Sequence, residues 1–224
     1  MELNWNEVLT GEMLTFVLLG KAFYADPNPA WLRALAEDDV FAEAPFAAEQ
    51  PQVVAALGLL QTWSRGISDR TIDDARADYT RLFIGPGQVV TPPWESVFFS
   101  QERLTFQQET LQVREWYRRF GLQAERLYQE PDDHIGLELE FVAHLADLGL
   151  RALAQNDQAE LDALIDAQKK FLTEHLTRWA FDWCAQVAQH AHTDFYPGMA
   201  LLTRGALVQA ARVFGAPTPA ETPA

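Results

Sequence analysis

Between Glu130 and Glu140 the chain reads Glu-Pro-Asp-Asp-His-Ile-Gly-Leu-Glu-Leu-Glu, the densest group of side chains able to do chemistry. Carboxylates beside an imidazole can trade protons, ligate a metal or receive a cation. Pro131 suits the approach to a helix, and Asp132 or Asp133 can cap its free N–H groups. At about 100° per residue, His134, Leu137, Glu138, Phe141, Leu145 and Leu148 share one face. Glu140, His144, Asp147 and Arg151 share a second, wetter one. A histidine and a glutamate on the mainly apolar face need partners. They satisfy each other, His134 held by Glu138, or they line a cleft that receives something basic.

The remaining chemistries are incomplete. Ser96 lies in Trp-Glu-Ser-Val, without the Gly-x-Ser-x-Gly elbow of a nucleophilic serine. Gly85-Pro86-Gly87 lacks the Lys-Ser/Thr pair that grips phosphate, and Pro86 removes a donor. Zinc wants three or four ligands. His134 with Glu138, joined by His190 or His192, is the nearest approach and defines a rival reading, a metal-dependent hydrolase. The Glu-x-x-His pairs of a carboxylate-bridged two-metal site are absent.

The bulk numbers narrow the class. Acidic residues outnumber Lys and Arg by 32 to 17 in 224 residues, a net charge of -15, which disfavours nucleic acid or an anionic membrane as partner. A basic peptide fits better. One cysteine, Cys184, excludes an internal disulfide. The acidic start and the short apolar run Met13 to Leu19 match neither a signal peptide nor a membrane span, so a cytoplasmic protein is expected.

Helical spacing predicts helices over Asn6–Ala25, Trp31–Leu35, Gln52–Trp63, 69–83, Thr105–Phe120, a start within 130–133 running to Leu153, then Asp157–Ala191 with a break near 173–178, and Gly198–Phe214. The segment Ile84 to Ser96 holds two glycines and three prolines and is assigned no regular structure. Trp94 within it either pins the loop to the core or forms the apolar wall of a groove. The expected fold is all-α, a single compact domain of eight to nine helices over 1–215, with a disordered Ala/Pro-rich tail at 216–224.

Two unusual segments belong together. Tyr79-x-x-Leu82-Phe83-x-Gly85-Pro86 with Pro92-Pro93-Trp94-x-Ser96, followed by Glu130-Pro131-Asp132-Asp133-His134-Ile135-Gly136, resembles the TorD/DmsD family of redox-enzyme maturation chaperones. Leu19-Gly20-x-x-Phe23-Tyr24-x-x-Pro27 is similar to that family's first helix, so the resemblance runs from the first helix to Phe214. It implies a cytoplasmic chaperone, not an enzyme, that binds the twin-arginine leader of a molybdoenzyme precursor of the dimethyl sulfoxide or trimethylamine N-oxide reductase type. The chaperone holds the precursor back from the twin-arginine translocase until its cofactor is inserted. The resemblance places leader binding at Pro93, Trp94, Asp133 and His134, with Asp133 receiving an arginine, Tyr24 added by position, and Ser96, Asp132 and Glu138 adjoining. It implies no cofactor beyond weak guanine-nucleotide binding, and mainly a monomer, with domain-swapped dimers known in the family. A helical adaptor without leader recognition is the remaining alternative. The continuation Leu137-Glu138-Leu139-Glu140 departs from the family's simplest pattern and leaves the cognate reductase open.

Overall fold

Helix α1 (Trp5–Tyr24) begins at Asn4, whose side chain caps the N–H of Glu7, and buries Leu9, Phe16, Leu19 and Phe23 at helical spacing. Its broadest partner is α7 (Ile135–Ala154), which buries Ile135, Leu139, Val142 and Ala146 in return. The computed structural model describes residues 3–87, 89–124 and 129–218.

Between these two come α2 (Pro29–Glu37), α3 (Pro51–Arg65) and α4 (Asp69–Tyr79), then α5 (Glu95–Phe99) and α6 (Gln108–Arg119). Pro29 and Pro51 open their helices from the first turn, where no N–H is needed. Ser68 caps α4. After α7 come α8 (Gln158–Phe171), α9 (Thr177–His190) and α10 (Phe195–Phe214), which packs along α3 and α9. The sequence assigned no regular structure to α5, a single turn that starts directly behind three loop-forming residues.

Two helices pass through π turns. α4 runs into Thr80–Ile84 and stops at Gly85, with φ 71°. α8 and α9 are joined by Leu172–Leu176 into one rod over residues 158–190. The sequence predicted a break at 173–178. The chain widens there instead, and the Thr177 hydroxyl donates to the Leu172 carbonyl at 2.9 Å. Counting each such rod once gives nine helices in one domain among the described residues, as expected.

Aromatic rings fill the centre: Phe23, Phe83, Trp183 and Tyr196 meet edge to face or stacked, and Phe141 meets Phe171 at 4.7 Å. Cys184 is buried in this layer, and burial pushes its thiol up to about 12. No described helix is long and apolar enough to cross a membrane. Past Gly215, residues 216–218 have no regular structure; the rest of the expected tail lies outside the described residues.

Candidate functional site

The Pro-Pro-Trp loop and the start of α7 are tied by one antiparallel bridge between Trp94 and His134. The N–H of Ile135 donates to the carbonyl of Pro93 at 2.8 Å, and that of Glu95 to the carbonyl of Asp133 at 3.0 Å. Proline can accept but cannot donate, so the pairing uses Pro93 only through its oxygen. The bridge sets the Trp94 ring 6.0 Å from that of His134. Tyr24, at the end of α1, meets the same imidazole from another side at 5.4 Å. Trp94 is half-buried and donates through Nε1 to Glu130 at 2.8 Å.

The carboxylates here are inside the protein. Asp133 is fully buried: one oxygen accepts from the N–H of Ser96 at 2.6 Å, the other from the hydroxyl of Thr110 at 2.6 Å. It therefore caps the first turn of α5 rather than α7. The cap of α7 is His134, whose Nδ1 accepts from the N–H of Gly136 at 3.0 Å. Asp132, expected as that cap, is held by Arg114 at 2.7 and 3.1 Å. The Tyr117 hydroxyl donates to its carbonyl. The open carboxylate expected of Asp133 is thus a structural acceptor, because α5 and α6 bring it donors that the sequence does not display.

Glu138 does not hold His134. It is fully buried, and its Oε2 accepts from Trp179 Nε1 at 3.4 Å while Oε1 has no hydrogen bond among the described residues. Burial, reinforced by Glu95 and Asp133, raises its carboxyl well above the ordinary range. Glu95, also fully buried, lies 2.7 Å from His175 Nδ1 and 3.5 Å from Arg178, and burial raises it too. Desolvation lowers His134 to about 3. At neutral pH its ring is neutral, and with Nδ1 accepting, the proton sits on Nε2.

Sequence reasoning missed Glu95, Thr110, Arg114 and His175. Only Glu95 carried a signal, its place directly after Trp94. Arg114 and Thr110 sit on an ordinary amphipathic helix, and His175 is turned inward by a π turn that periodicity does not show.

Three open clefts lie around this network. One of ≈ 330 Å³ adjoins Trp94, between Pro92 and Glu102–Arg103. Another of ≈ 330 Å³ adjoins Tyr24, between α1, α6 and α7. The largest, ≈ 760 Å³, runs between α6 and the α8–α9 rod over His175. Buried Pro93, Ser96, Asp132, Asp133, His134 and Glu138 line none of these three. The glycine turn offers little to a nucleotide: the Gly85 N–H is spent on the Thr80 carbonyl and Pro86 has none. Among the described residues no three His, Cys, Asp or Glu side chains are arranged to hold a metal ion, so His134, Glu138, His190 and His192 do not assemble the rival centre.

The structure is thus a helical bundle with aromatic-walled clefts beside one buried, neutral histidine. The nitrate reductase delta subunit family model matches residues 47–185. The Tat proofreading chaperone DmsD of Salmonella typhi is 32% identical over 200 residues, 88% of this chain and 87% of that protein. The chaperone protein TorD of Shewanella pealeana is 27% identical over 168 residues, 72% of this chain and 67% of that one. A redox enzyme maturation protein from Archaeoglobus fulgidus has the same fold, with a TM-score of 0.51 at 19% identity over 91% of this chain and 94% of that one. The chain belongs to the nitrate reductase delta subunit family and stands there with the DmsD and TorD maturation chaperones. It is a chaperone and not an enzyme.

Proposed function

We propose that this chain is a cytoplasmic chaperone that binds the twin-arginine leader of a molybdenum-containing oxidoreductase precursor and holds it until the cofactor is in place and export can begin. One observation carries the reading. Tyr24 and Trp94, from two separate segments of the sequence, flank His134, and each borders its own cleft. An extended segment lying across His134 would reach both.

In this reading Tyr24, Trp94 and His134 contact the leader, His134 offering its Nε2–H to a carbonyl. Pro93, Ser96, Asp132, Asp133 and Glu138 form the buried frame that fixes those three. The protein acts mainly as a monomer. Guanine nucleotide binds at most weakly and takes no part in catalysis.

Copurification tests the proposal. The tagged chaperone should capture a dimethyl sulfoxide or trimethylamine N-oxide reductase-type precursor, and deletion of the precursor's leader should abolish capture. Capture that survives the deletion would instead support a helical adaptor that does not read the leader.

A further inference from the structure

We propose that Glu140 receives a leader arginine, in the cleft of ≈ 330 Å³ between α1, α6 and α7. The inference rests on the leader-binding reading above and names the residue that meets its charge.

An arginine needs an accessible carboxylate without a competing cation. Asp132 and Asp133 fail, since both are buried and already bonded to Arg114, Ser96 and Thr110. Glu95 and Glu138 are buried as well. Glu140 is exposed and, among the described residues, makes neither hydrogen bond nor ion pair. Its stem lies across α1, where a Cβ on Gly20 would come within 2.5 Å of its Cγ. Partial burial raises its carboxyl, so a cation arriving there would gain from relieving it.

The walls fit a guanidinium. Tyr24, Tyr117 and Phe141 bring aromatic rings to the cleft, and a planar cation stacks on such rings while its edge forks to a carboxylate. The Tyr117 hydroxyl is occupied by the Asp132 carbonyl. His144, the other titratable wall group, is lowered by desolvation, so among the described residues the cleft lining sets no fixed cation against Glu140.

The other clefts fit worse. The one of ≈ 760 Å³ carries Glu115 and Glu174, but sets Arg119, Lys170 and Arg178 beside them, so an incoming arginine would compete with cations already in place. The one beside Trp94 sets Arg103 next to Glu102. Charge complementarity therefore selects the Tyr24 cleft for the arginine and leaves the Trp94 cleft for an apolar neighbour. The rings of Tyr24, His134 and Trp94 are spaced 5.4 and 6.0 Å apart, a span that roughly three or four extended residues cover.

The test is titration of a fluorescein-labelled synthetic leader peptide with paired arginines, and of its lysine counterpart, into wild type, Glu140→Gln, Glu140→Lys and Trp94→Ala, with folding checked by circular dichroism. Glu140→Gln should weaken the arginine peptide about tenfold, Glu140→Lys more, and both should lose the preference for arginine over lysine that wild type shows. Glu140 has no hydrogen-bond or ion-pair partner among the described residues, so both variants should fold. Wild-type affinity in Glu140→Gln, with Trp94→Ala still weakened, would overturn the Glu140 assignment and leave leader binding intact. No binding by wild type would overturn the leader reading and this inference with it.

Discussion

Gly20 and Gly136 face each other where α1 crosses α7. A Cβ on Gly136 would lie 2.8 Å from the Tyr24 Cβ and 2.9 Å from the Gly20 carbonyl oxygen. Both glycines belong to the motifs that marked the family, and their reason is helix contact rather than a turn. Each sits one to four residues from a side chain of the site, so the close approach sets how near Tyr24 comes to His134. Gly136→Ala should cost about 1–3 kcal/mol through overpacking, read by thermal or urea unfolding, and should weaken leader binding as Tyr24 is pushed away. Gly58→Ala, in α3 with nothing within 4 Å of its Cβ, should instead stabilise by about 0.4–1 kcal/mol.

Arg114 and Asp132 form the most buried arginine–carboxylate pair among the described residues, with side chains 10% and 1% exposed. Arg114→Met should cost about 3–5 kcal/mol, because it leaves a buried charge without its partner. Adding Asp132→Leu should recover part of that loss. A urea series on the two variants measures it. A double variant no more stable than Arg114→Met would show that Asp132 is held by something other than its arginine.

His134 makes the protein acid-sensitive in a stated direction. Its pKa is near 6.5 in an unfolded chain and about 3 in the fold. Below about 6.5 the unfolded chain takes up a proton that the folded one refuses. The stability that this provides is complete above that pH and is lost progressively towards 3. His134→Asn keeps a capping acceptor and removes the titration. Its urea midpoint should fall less than wild type's between pH 7.5 and 5.

Glu138 has the opposite sign. Its carboxyl is raised in the fold, so stability is full below its unfolded pKa near 4.5 and is lost as pH rises toward the raised value. Glu138→Gln lacks that loss, and its stability advantage over wild type should grow from pH 5 to pH 8 in thermal melts. An advantage that is flat across this range would mean Glu138 stays ionised inside the protein.

Among the site residues, Trp94→Ala should weaken leader binding at least about tenfold, or 1.4 kcal/mol, with the fold kept. Asp147→Asn, on the wet face and paired to Arg151, should leave binding unchanged. Asp133→Asn can accept from only one of its two donors, Ser96 and Thr110, and turns an amide N–H toward the other, so it should cost roughly 1–3 kcal/mol of stability. Its loss of binding would then follow from a loosened loop. Fluorescence titration beside urea unfolding separates the three cases.

Much of the architecture was written locally. Asn4, Ser68 and the prolines at 29 and 51 are start signals of short range, and Leu9, Phe16 and Phe23 give the period. The π turn at 172–176 was not legible, since one extra residue per turn over five residues looks like a lapse in periodicity. The roles of the motif were harder still. Asp133 reads as a charge waiting for a ligand, and only the fold reveals that Ser96, 37 positions away, takes it. His134 and Glu138 share a helical face, yet a backbone N–H claims one and Trp179 the other. Glu140 was placed on the wet face correctly, but nothing in the sequence shows that this face meets a cleft.

Cys184 has a consequence for the company this protein keeps. Only the thiolate attacks an oxidant, a disulfide or a soft metal, and the one sulfhydryl of the chain is buried and holds its proton up to about 12. In the folded chain this sulfur is therefore a poor partner for thiol–disulfide exchange. In the proposed role, its contact with a half-assembled oxidoreductase would involve no bond from this sulfur, leaving shape and charge to govern the hold.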